Sequence, residues 1–374
     1  ADIDGVVYTK DGKTAVAYPA GNPAENYTVL DGTQKIGIAA FYGSWNLRGV
    51  TVPAGVDEFY EYAFFDCEKV CGYSLPDTLE TVGPYSMAKN YSLSSVSLPD
   101  SVINIGRYAF AYDSSLYTVY ISDTSKLARI SFASFALSGI QTMRIPANVS
   151  TVAQYAFEGC KQLTSVTFAA GSKLQSISAY FFLGCDSIQN ITFENGGALT
   201  SIQAHGLEGM KNLTSIDFGD ARLTNIDNYA FRYCSSLATL NLPDTLINIG
   251  RFAFYKCTAL SSLTVPETIE HIGSYAFHGT DNCALYFSGA ELPFYLDENW
   301  DDGLSGYYVG VSQTVESGDW KYAILKNGKT AILEYLGNEK NIDLRTLNIG
   351  EISTIGGYAF YGKNLESIIL PESL

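Results

Sequence analysis

Basic residues are scarce in this sequence, which carries 23 Lys and Arg against 39 Asp and Glu and a formal net charge of -16. Such a surface repels phosphate backbones and anionic lipid headgroups, so general nucleic-acid binding is excluded. Apolar runs are also short: none approaches the roughly 18 to 20 residues that span a bilayer, and no membrane insertion is expected in this segment. Residues 1–4 lack the charged and apolar regions of a signal peptide, and we expect a processed, soluble ectodomain.

Recognisable catalytic and metal-binding motifs are missing as well. The three histidines, His205, His271 and His278, fall in no catalytic or metal-binding motif, and the seven cysteines include no close Cys-x-x-Cys pair. An EF-hand loop starting at Asp297 would need Gly at its sixth position and Glu at its twelfth, but Asp302 and Tyr308 stand there. We therefore predict a non-enzymatic protein with no cofactor and no metal site. Glycan hydrolysis by paired carboxylates is the least favoured alternative, because nothing in the sequence singles out such a pair.

A short repeated motif dominates the chain. Charged residues make up only 17%, whereas 34 Gly, 27 Tyr and 20 Phe favour strands and turns over long helices. Close copies of Ile-Gly-x-Tyr-Ala-Phe span residues 105–110, 226–231, 249–254, 272–277 and 355–360. Weaker copies end at Phe41, Phe64, Met87, Phe135, Phe157, Phe182 and Leu207. Up to Phe277 the final residues of successive copies, which we call anchors, are 22 to 25 residues apart, as in a repeat protein.

The residues after each anchor predict one short strand per repeat. Leu116, Val119 and Ile121 stand six, nine and eleven positions after Phe110, and this alternation buries one strand face. The repeated motif is expected to turn the chain back, with Gly allowing a tight backbone and Phe packing inward. One repeat cannot enclose its own apolar residues, so coils must stack. We predict a repeat solenoid, mainly β with short helical or 3-10 turns, built of leucine-rich-repeat-like coils of 22–25 residues.

The combined motif, Leu-x-x-Leu-x-Leu-Pro followed by Ile-Gly-x-Tyr-Ala-Phe-x-x-Cys, resembles the BspA-type leucine-rich repeat over most of the chain. Proteins of the BspA-like family are typically secreted or surface-anchored bacterial proteins, and some are adhesins for host proteins such as fibronectin and fibrinogen. The resemblance implies an extracellular or cell-surface location and partners among extracellular or host matrix proteins, with glycans as a further possibility. The copies at 131–135 and 203–207 lose the Tyr-Ala-Phe sequence, and local irregularity is expected there.

Two hairpin signals divide the chain. Alternating residues at 6–9 and 14–18 flank a Lys-Asp-Gly-Lys turn, and residues 321–325 and 330–335 flank Lys-Asn-Gly-Lys in the same way. We interpret residues 1–35 as an N-terminal β-hairpin cap, 36–290 as the repeat array and 291–317 as an acidic and aromatic C-terminal cap or linker. Residues 318–345 are then a second hairpin cap, and 346–374 start a second array. Because that array stops in mid-repeat, the natural chain is expected to continue past Leu374.

The strand positions that should face outward carry mostly small polar residues, such as Ser95, Thr167 and Thr239. Larger side chains interrupt this uniform surface in what the spacing suggests are three consecutive coils. They are Tyr117, Tyr120, Gln141, Arg144, Gln189 and Asn190. We predict that these six residues form a partner-binding patch, and neutral substitution without a binding role is the alternative.

Two residue types recur at fixed places in the repeat. Cys67, Cys160, Cys185, Cys234 and Cys257 stand three positions after an anchor and are expected to be buried thiols, with disulfides between neighbouring coils as the alternative. Cys71 lies off this column and is the thiol expected to face solvent and react. Tyrosine recurs two positions before the anchor, at Tyr62, Tyr85, Tyr108, Tyr155, Tyr180, Tyr229, Tyr275 and Tyr358. These rings are expected to pack between coils, and a carbohydrate-binding stripe is the alternative.

Long repeats present large, shallow faces that suit macromolecular partners and do not enclose a small substrate. We therefore predict a non-enzymatic, adhesin-like binding protein that is secreted or displayed at a bacterial cell surface. A passive spacer or display stalk is the second hypothesis, and a glycan-binding module is the third.

Overall fold

The N-terminal strands form a small antiparallel unit that leads into the first coil. The computed structural model describes residues 2–3 and 5–374, and residues 1 and 4 of the predicted cap lie outside the described residues. Strands β1 (Asp2–Ile3), β2 (Val6–Tyr8) and β3 (Thr14–Ala17) pair antiparallel, so the predicted hairpin is present. Strand β3 then pairs in parallel with β5 (Lys35–Ile36) of the first coil. The hairpin thus covers the edge that this coil would otherwise leave unpaired.

From residue 26 to residue 309 the strands alternate between two faces. The first face holds β4 (Asn26–Thr28), β6 (Gly49–Thr51), β8 (Gly72–Ser74), β10 (Ser95–Ser97), β12 (Thr118–Tyr120), β14 (Thr142–Ile145), β16 (Ser165–Phe168), β18 (Asn190–Phe193), β20 (Ser215–Asp217), β22 (Thr239–Leu240), β24 (Ser262–Val265), β26 (Cys283–Phe287) and β28 (Leu304–Val309). The second face holds β5, β7 (Glu58–Phe59), β9 (Thr81–Val82), β11 (Asn104–Ile105), β13 (Arg129–Ile130), β15 (Thr151–Val152), β17 (Ser176–Ile177), β19 (Ser201–Ile202), β21 (Asn225–Ile226), β23 (Asn248–Ile249), β25 (His271–Ile272) and β27 (Tyr295–Leu296). Within each face most strands pair in parallel with the strand of the next coil, and the ladders are interrupted between β8 and β10, β12 and β14, β22 and β24, and β15 and β17. The chain is therefore a mainly-β solenoid, as predicted.

The core runs along the axis between these two faces. In β16, Val166 and Phe168 are buried while Ser165 and Thr167 face outward, which is the predicted alternation. The anchors stack on one another: the Phe110 and Phe135 ring centroids are 5.4 Å apart, with only 4° between the ring planes. Each coil therefore supplies a slice of one continuous apolar core, because a single coil has no partner for its own ring.

Glycine in the repeated motif serves the close approach of neighbouring coils. A β-carbon on Gly273 would lie 2.5 Å from the Arg251 nitrogen, and one on Gly106 would lie 2.6 Å from the Gly83 carbonyl carbon. The left-handed conformation falls on the aromatic residue of the motif and not on this glycine, since Tyr62, Tyr85 and the equivalent tyrosines of the array have φ between +53° and +62°. The helical turns that we expected reduce, in the described part of the chain, to one 3-10 helix, η1 (Leu344–Thr346).

The segment predicted as a cap or linker at 291–317 contributes strands to both faces. Strand β27 pairs with β25, and β28 pairs with β26, so both ladders gain another coil. Asn299 takes the left-handed conformation in place of tyrosine, with φ of +59°, and Trp300 beside it is buried. The anchor motif is lost here, but the coil geometry continues. The domain boundaries themselves stay a prediction.

The second hairpin is also present, and it is organised like the first. Strands β29 (Val311–Ser317), β30 (Trp320–Leu325) and β31 (Thr330–Tyr335) pair antiparallel. Strand β31 then pairs in parallel with β33 (Ile352–Ile355), and β32 (Asn341–Asp343) pairs with β34 (Ser367–Ile369). This unit packs on the first array through a cluster that joins Tyr286 and Tyr308 to Ala331 and Leu333. The two arrays are therefore in direct contact.

Candidate functional site

The six predicted patch residues lie on the first strand face and are aligned by backbone hydrogen bonds. The Gln141 nitrogen donates to the Tyr117 carbonyl at 3.1 Å, the Thr164 nitrogen to the Gln141 carbonyl at 2.8 Å, and the Gln189 nitrogen to the Thr164 carbonyl at 2.9 Å. Tyr117, Gln141 and Gln189 therefore form one column. The coil of β16 stands between the second and third members, so the patch spans four coils, and the expected run of three consecutive coils is wrong.

Large side chains of this patch are open to solvent. Tyr120 is 60% exposed and Tyr117 is 40% exposed. Gln141, Gln189 and Asn190 are exposed as well. Tyr120 and Arg144 each stand three residues beyond a member of the first column, and they form a second column on the same face. We call these six residues the strand-face patch. It combines two aromatic rings, three amides and one guanidinium group within a serine- and threonine-rich surface.

Arg144 is held by carboxylates on both sides. Its Nε donates to Asp123 Oδ1 at 2.7 Å, and its Nη1 donates to Glu194 Oε1 at 2.8 Å. The Nη2 atom donates to the second oxygen of each carboxylate, at 2.9 and 3.0 Å. Glu194 also accepts a hydrogen bond from the Ala170 nitrogen at 2.9 Å. Two bidentate pairs fix the guanidinium plane and occupy most of its donors.

The charges around Arg144 perturb one another in the direction expected for ion pairs. Hydrogen bonds from Arg144 hold the pKa of Asp123 and of Glu194 below their ordinary values, and both carboxylates raise the pKa of Arg144. Because these carboxyl pKa values are lowered on folding, the stabilisation is present above about pH 4 and is lost as the pH falls through the lowered values. A partner would meet a fixed, net negative group here, and Arg144 itself has little donor capacity left.

Sequence reasoning missed Asp123 and Glu194, although a signal was present. Each lies just beyond a strand of the first face, three residues after Tyr120 and four after Asn190 respectively. An acidic residue just beyond each of these two strands, with Arg144 on a strand between them, indicates an ion-pair bridge across coils. The strand-face patch is bordered by these two carboxylates.

The turn between the second and the first strand face carries a stack of half-buried aromatic rings. The Tyr85 and Tyr108 centroids are 4.7 Å apart at 13°, and the stack from Tyr155 to Tyr275 includes His205 and Phe252 in tyrosine positions. The predicted packing between coils is confirmed. The ring faces cover one another, which leaves little flat surface for a sugar. In the copy at 203–207 the ring stack continues without a break, because His205 stacks on both of its neighbours. In the copy at 131–135 the stack is irregular, because Phe132 packs on Tyr108 with 65° between the ring planes.

The repeat now identifies the family. The model of the BspA type leucine rich repeat region matches residues 34–164, 154–284 and 330–374. The chain belongs to this family. No curated protein matches the sequence. Among the described residues, no helix has both the length and the apolar character needed to cross a membrane.

Several solved structures are similar to this BspA-type protein. A leucine-rich repeat protein from Bacteroides ovatus is 22% identical, with a TM-score of 0.48, over 80% of this chain and 90% of that one. A leucine rich cell surface protein from Faecalibacterium prausnitzii is 18% identical, with a TM-score of 0.39, over 76% and 93% of the two chains. The pneumococcal vaccine antigen PcpA is 16% identical, with a TM-score of 0.42, over 83% and 88%.

Cysteine has a defined place in the BspA-type coil. Cys67 Sγ donates to the Phe41 carbonyl at 3.0 Å, and Cys257 Sγ donates to the Phe231 carbonyl at 3.1 Å. Each thiol thus bonds the anchor carbonyl of the preceding coil. All seven cysteines are free thiols in the structure, the five of the column are buried, and Cys71 is exposed as predicted. Burial raises the pKa of Cys67 to about 12.

Two histidines of this BspA-type protein pair with carboxylates of its acidic segment. His271 contacts Asn248 Oδ1 at 2.6 Å and Asp297 Oδ1 at 3.1 Å, and His278 contacts Asp302 Oδ2 at 2.8 Å. The His271 contact, with help from Ser274, lowers the pKa of Asp297. Across the described chain, no three His, Cys, Asp or Glu side chains are grouped as a metal would need.

Proposed function

We propose that this protein is a non-enzymatic, adhesin-like binding protein, secreted or displayed at a bacterial cell surface, that recognises an extracellular or host protein through the strand-face patch. The observation that carries the proposal is the exposed pair Tyr117 and Tyr120, set beside the amides of Gln141, Gln189 and Asn190 on the first strand face. Membership of the BspA-type family, with its typical surface location, supports it.

The shape of the face favours a macromolecule over a small substrate. Strands of consecutive coils lie side by side, and the outward residues around the patch are short serines and threonines. Exposed tyrosines rising from such a surface are typical anchors of protein interfaces, since each buries a large ring with little loss of side-chain entropy. The neighbouring carboxylates of Asp123 and Glu194 favour a partner segment that carries basic or neutral side chains, because charges of the same sign repel.

The test is surface plasmon resonance with the full chain over immobilised fibronectin, fibrinogen and mucin, at low and physiological salt. We expect saturable binding to one of them that persists at physiological salt. Tyr120→Ala should weaken this binding at least about tenfold, as truncation of an exposed aromatic anchor does. Gln189→Ala should have a smaller effect in the same direction.

Two matched variants control this experiment. Thr239→Ala changes the same face at a distant coil, and Tyr295→Ala removes an equally exposed ring, 61% against 60%, from the other strand face. Both should bind like the parent protein. An equal loss of affinity in all four variants would show that the strand-face patch is not the contact surface. Absence of binding to every immobilised protein would favour the spacer hypothesis instead.

A further inference from the structure

A cleft lies where the second hairpin meets the last strands of the first array. It encloses about 300 Å³, at the lower end of the volumes typical of small-ligand sites. Its lining combines four tyrosines with polar side chains from both arrays: Tyr286, Tyr308, Tyr358 and Tyr361 with Ser261, Asn282, Ser305, Lys321 and Glu334. We call it the junction cleft. It is remote in sequence from the strand-face patch and shares no residue with it.

Two of the tyrosines bring unsatisfied hydroxyl groups to the cleft. Tyr286 is only 5% exposed and Tyr308 only 8% exposed, yet neither hydroxyl hydrogen-bonds to any residue that the structure describes. Burial raises the pKa of Tyr308 to about 12, and it also raises that of Tyr286, with a smaller contribution from Tyr308. Both phenols therefore stay protonated at neutral pH. Neither hydroxyl oxygen is among the fully buried side-chain atoms that lack a partner in the described chain, so both keep contact with the open cleft and are available to a ligand there.

The rim of the cleft is polar, unpaired and neutral overall. Within the described chain, the side chains of Ser261, Asn282 and Ser305 make no hydrogen bond, and Lys321 and Glu334 make no ion pair. Lys321 stands directly opposite Glu334 in the pairing of β30 with β31, so their charges offset each other. The rim therefore offers donors and acceptors in similar number.

Two open rings complete the site. Tyr358 is 50% exposed and Tyr361 is 77% exposed, and their centroids are 5.5 Å apart. Such rings differ from the stacked tyrosines of the first array, whose faces are covered by neighbouring coils. An exposed phenol ring presents an apolar face and a polar tip to the same ligand.

From this juxtaposition we propose that the junction cleft binds a neutral saccharide of one or two rings. A sugar ring has apolar C–H faces for Tyr358 and Tyr361 and hydroxyl groups for the two buried phenols and for Asn282. A strongly charged ligand is not favoured, because Lys321 and Glu334 cancel, and a purely apolar ligand would leave the polar rim unsatisfied. This site is independent of the proposed function, which concerns protein binding at the strand-face patch.

Saturation-transfer NMR of the full chain with methyl glycosides of glucose, galactose, mannose and N-acetylglucosamine tests the proposal. We expect transfer to at least one of these sugars. Tyr361→Ala should abolish it, and Tyr286→Phe, which removes one hydroxyl, should weaken binding about fivefold. The same Tyr286→Phe change should leave the melting temperature unchanged or higher, because the lost hydroxyl has no partner in the described structure. A purely structural role for Tyr286 would not separate binding from stability in this way.

The control is Tyr120→Ala, which removes an exposed ring from the strand-face patch. It should leave saccharide binding intact, just as Tyr361→Ala should leave protein binding intact, so that failure of either proposal is visible by itself. Absence of transfer to all four sugars would overturn the proposal, as would transfer that survives both Tyr361→Ala and Tyr286→Phe. Equal binding of a free amino acid or dipeptide would also overturn it, in favour of a zwitterion held by Lys321 and Glu334.

Discussion

Asp113 places a carboxyl group inside the core, at the position where the other coils with anchors up to Phe277 carry Cys, Ser, Asn, Thr or Met. Its Oδ1 accepts a hydrogen bond from the Asn90 nitrogen at 2.8 Å, whereas its Oδ2 is buried with no partner in the described chain. Burial raises the pKa of this carboxyl well above its ordinary value, because the charged form has lost its water. Asp113 is thus an acid whose charged form is disfavoured by folding.

Replacing Asp113 by Asn should stabilise the protein, and the gain should depend on pH. A raised carboxyl pKa contributes most to stability below the unfolded value of about 4, and that contribution is lost as the pH rises toward the folded value. In the preceding coil, Asn90 Nδ2 donates to the Met87 carbonyl at 2.7 Å, and Asn at 113 has the equivalent Phe110 carbonyl available. We expect Asp113→Asn to gain on the order of 1–3 kcal/mol in urea unfolding at pH 7.5 and far less at pH 4.5.

Asp77→Asn is the matched control for this change, since Asp77 is exposed on the surface. It should alter the unfolding midpoint little at either pH. A pH-independent effect of Asp113→Asn, or a loss of stability at pH 7.5, would contradict a raised pKa of Asp113 in the folded protein.

Cysteine reactivity should follow burial along the repeat. Thiolates are the reactive form, and all five column cysteines are buried and therefore inaccessible to a reagent in solution. Brief maleimide treatment of the folded protein should therefore add one label, at Cys71, whereas the unfolded chain should take seven. Intact mass and peptide mapping measure this, and Cys71→Ser should leave the folded protein unlabelled. Labelling of Cys160 or Cys185 before Cys71 would contradict the packing described above.

At the scale of one coil, the glycine of the repeated motif sets the spacing of the solenoid. Gly273→Ala would push a β-carbon to 2.5 Å from the Arg251 nitrogen, so one of the two coils must shift. We expect a loss of about 1–3 kcal/mol in chemical unfolding, as for other overpacked sites. Gly72→Ala is the control, because a β-carbon there meets nothing within 4 Å and the residue has no left-handed conformation. Equal destabilisation by both changes would show that spacing is not the cause.

The features that repeat could be predicted from the sequence, because each coil makes the same contacts as the one before it. Leu116, Val119 and the Phe110 anchor occupy the positions that their spacing indicates, and the tyrosine stack follows from the same register. Such positions are specified many times over. A departure in one copy, such as His205 for tyrosine, leaves the pattern readable.

Contacts that occur once could not be predicted in the same way. The Arg144 bridge joins residues 21 and 50 positions away, and which turn faces which depends on coil lengths that vary between 22 and 25 residues. Trp300 and Asn299 preserve the coil geometry without the anchor motif, so the sequence there resembled a cap. The junction cleft likewise depends on how two arrays dock, which no local spacing encodes.

At the scale of the whole molecule, one glycine decides how closely the second array approaches the first. A β-carbon on Gly356 would overlap the Tyr308 hydroxyl. Gly356→Ala should therefore loosen the contact between the arrays and leave the first array folded. Hydrogen exchange should become faster in β29–β33 and stay unchanged in β14–β20. Faster exchange through both regions would mean that the arrays unfold as one unit.

The parallel ladders also determine how the molecule would respond to a pulling force. Every coil is hydrogen-bonded to its immediate neighbours, and paired residues such as Ser165 and Asn190 are one coil apart in sequence. Tension applied through the termini would peel coils from an end one after another, because the strand pairs that the structure describes join only neighbouring segments of the chain. Each release would lengthen the chain by roughly 80 Å, the extended length of one repeat. If the protein tethers a cell, as proposed above, the tether would lengthen in successive steps of similar size while the remaining coils stay folded.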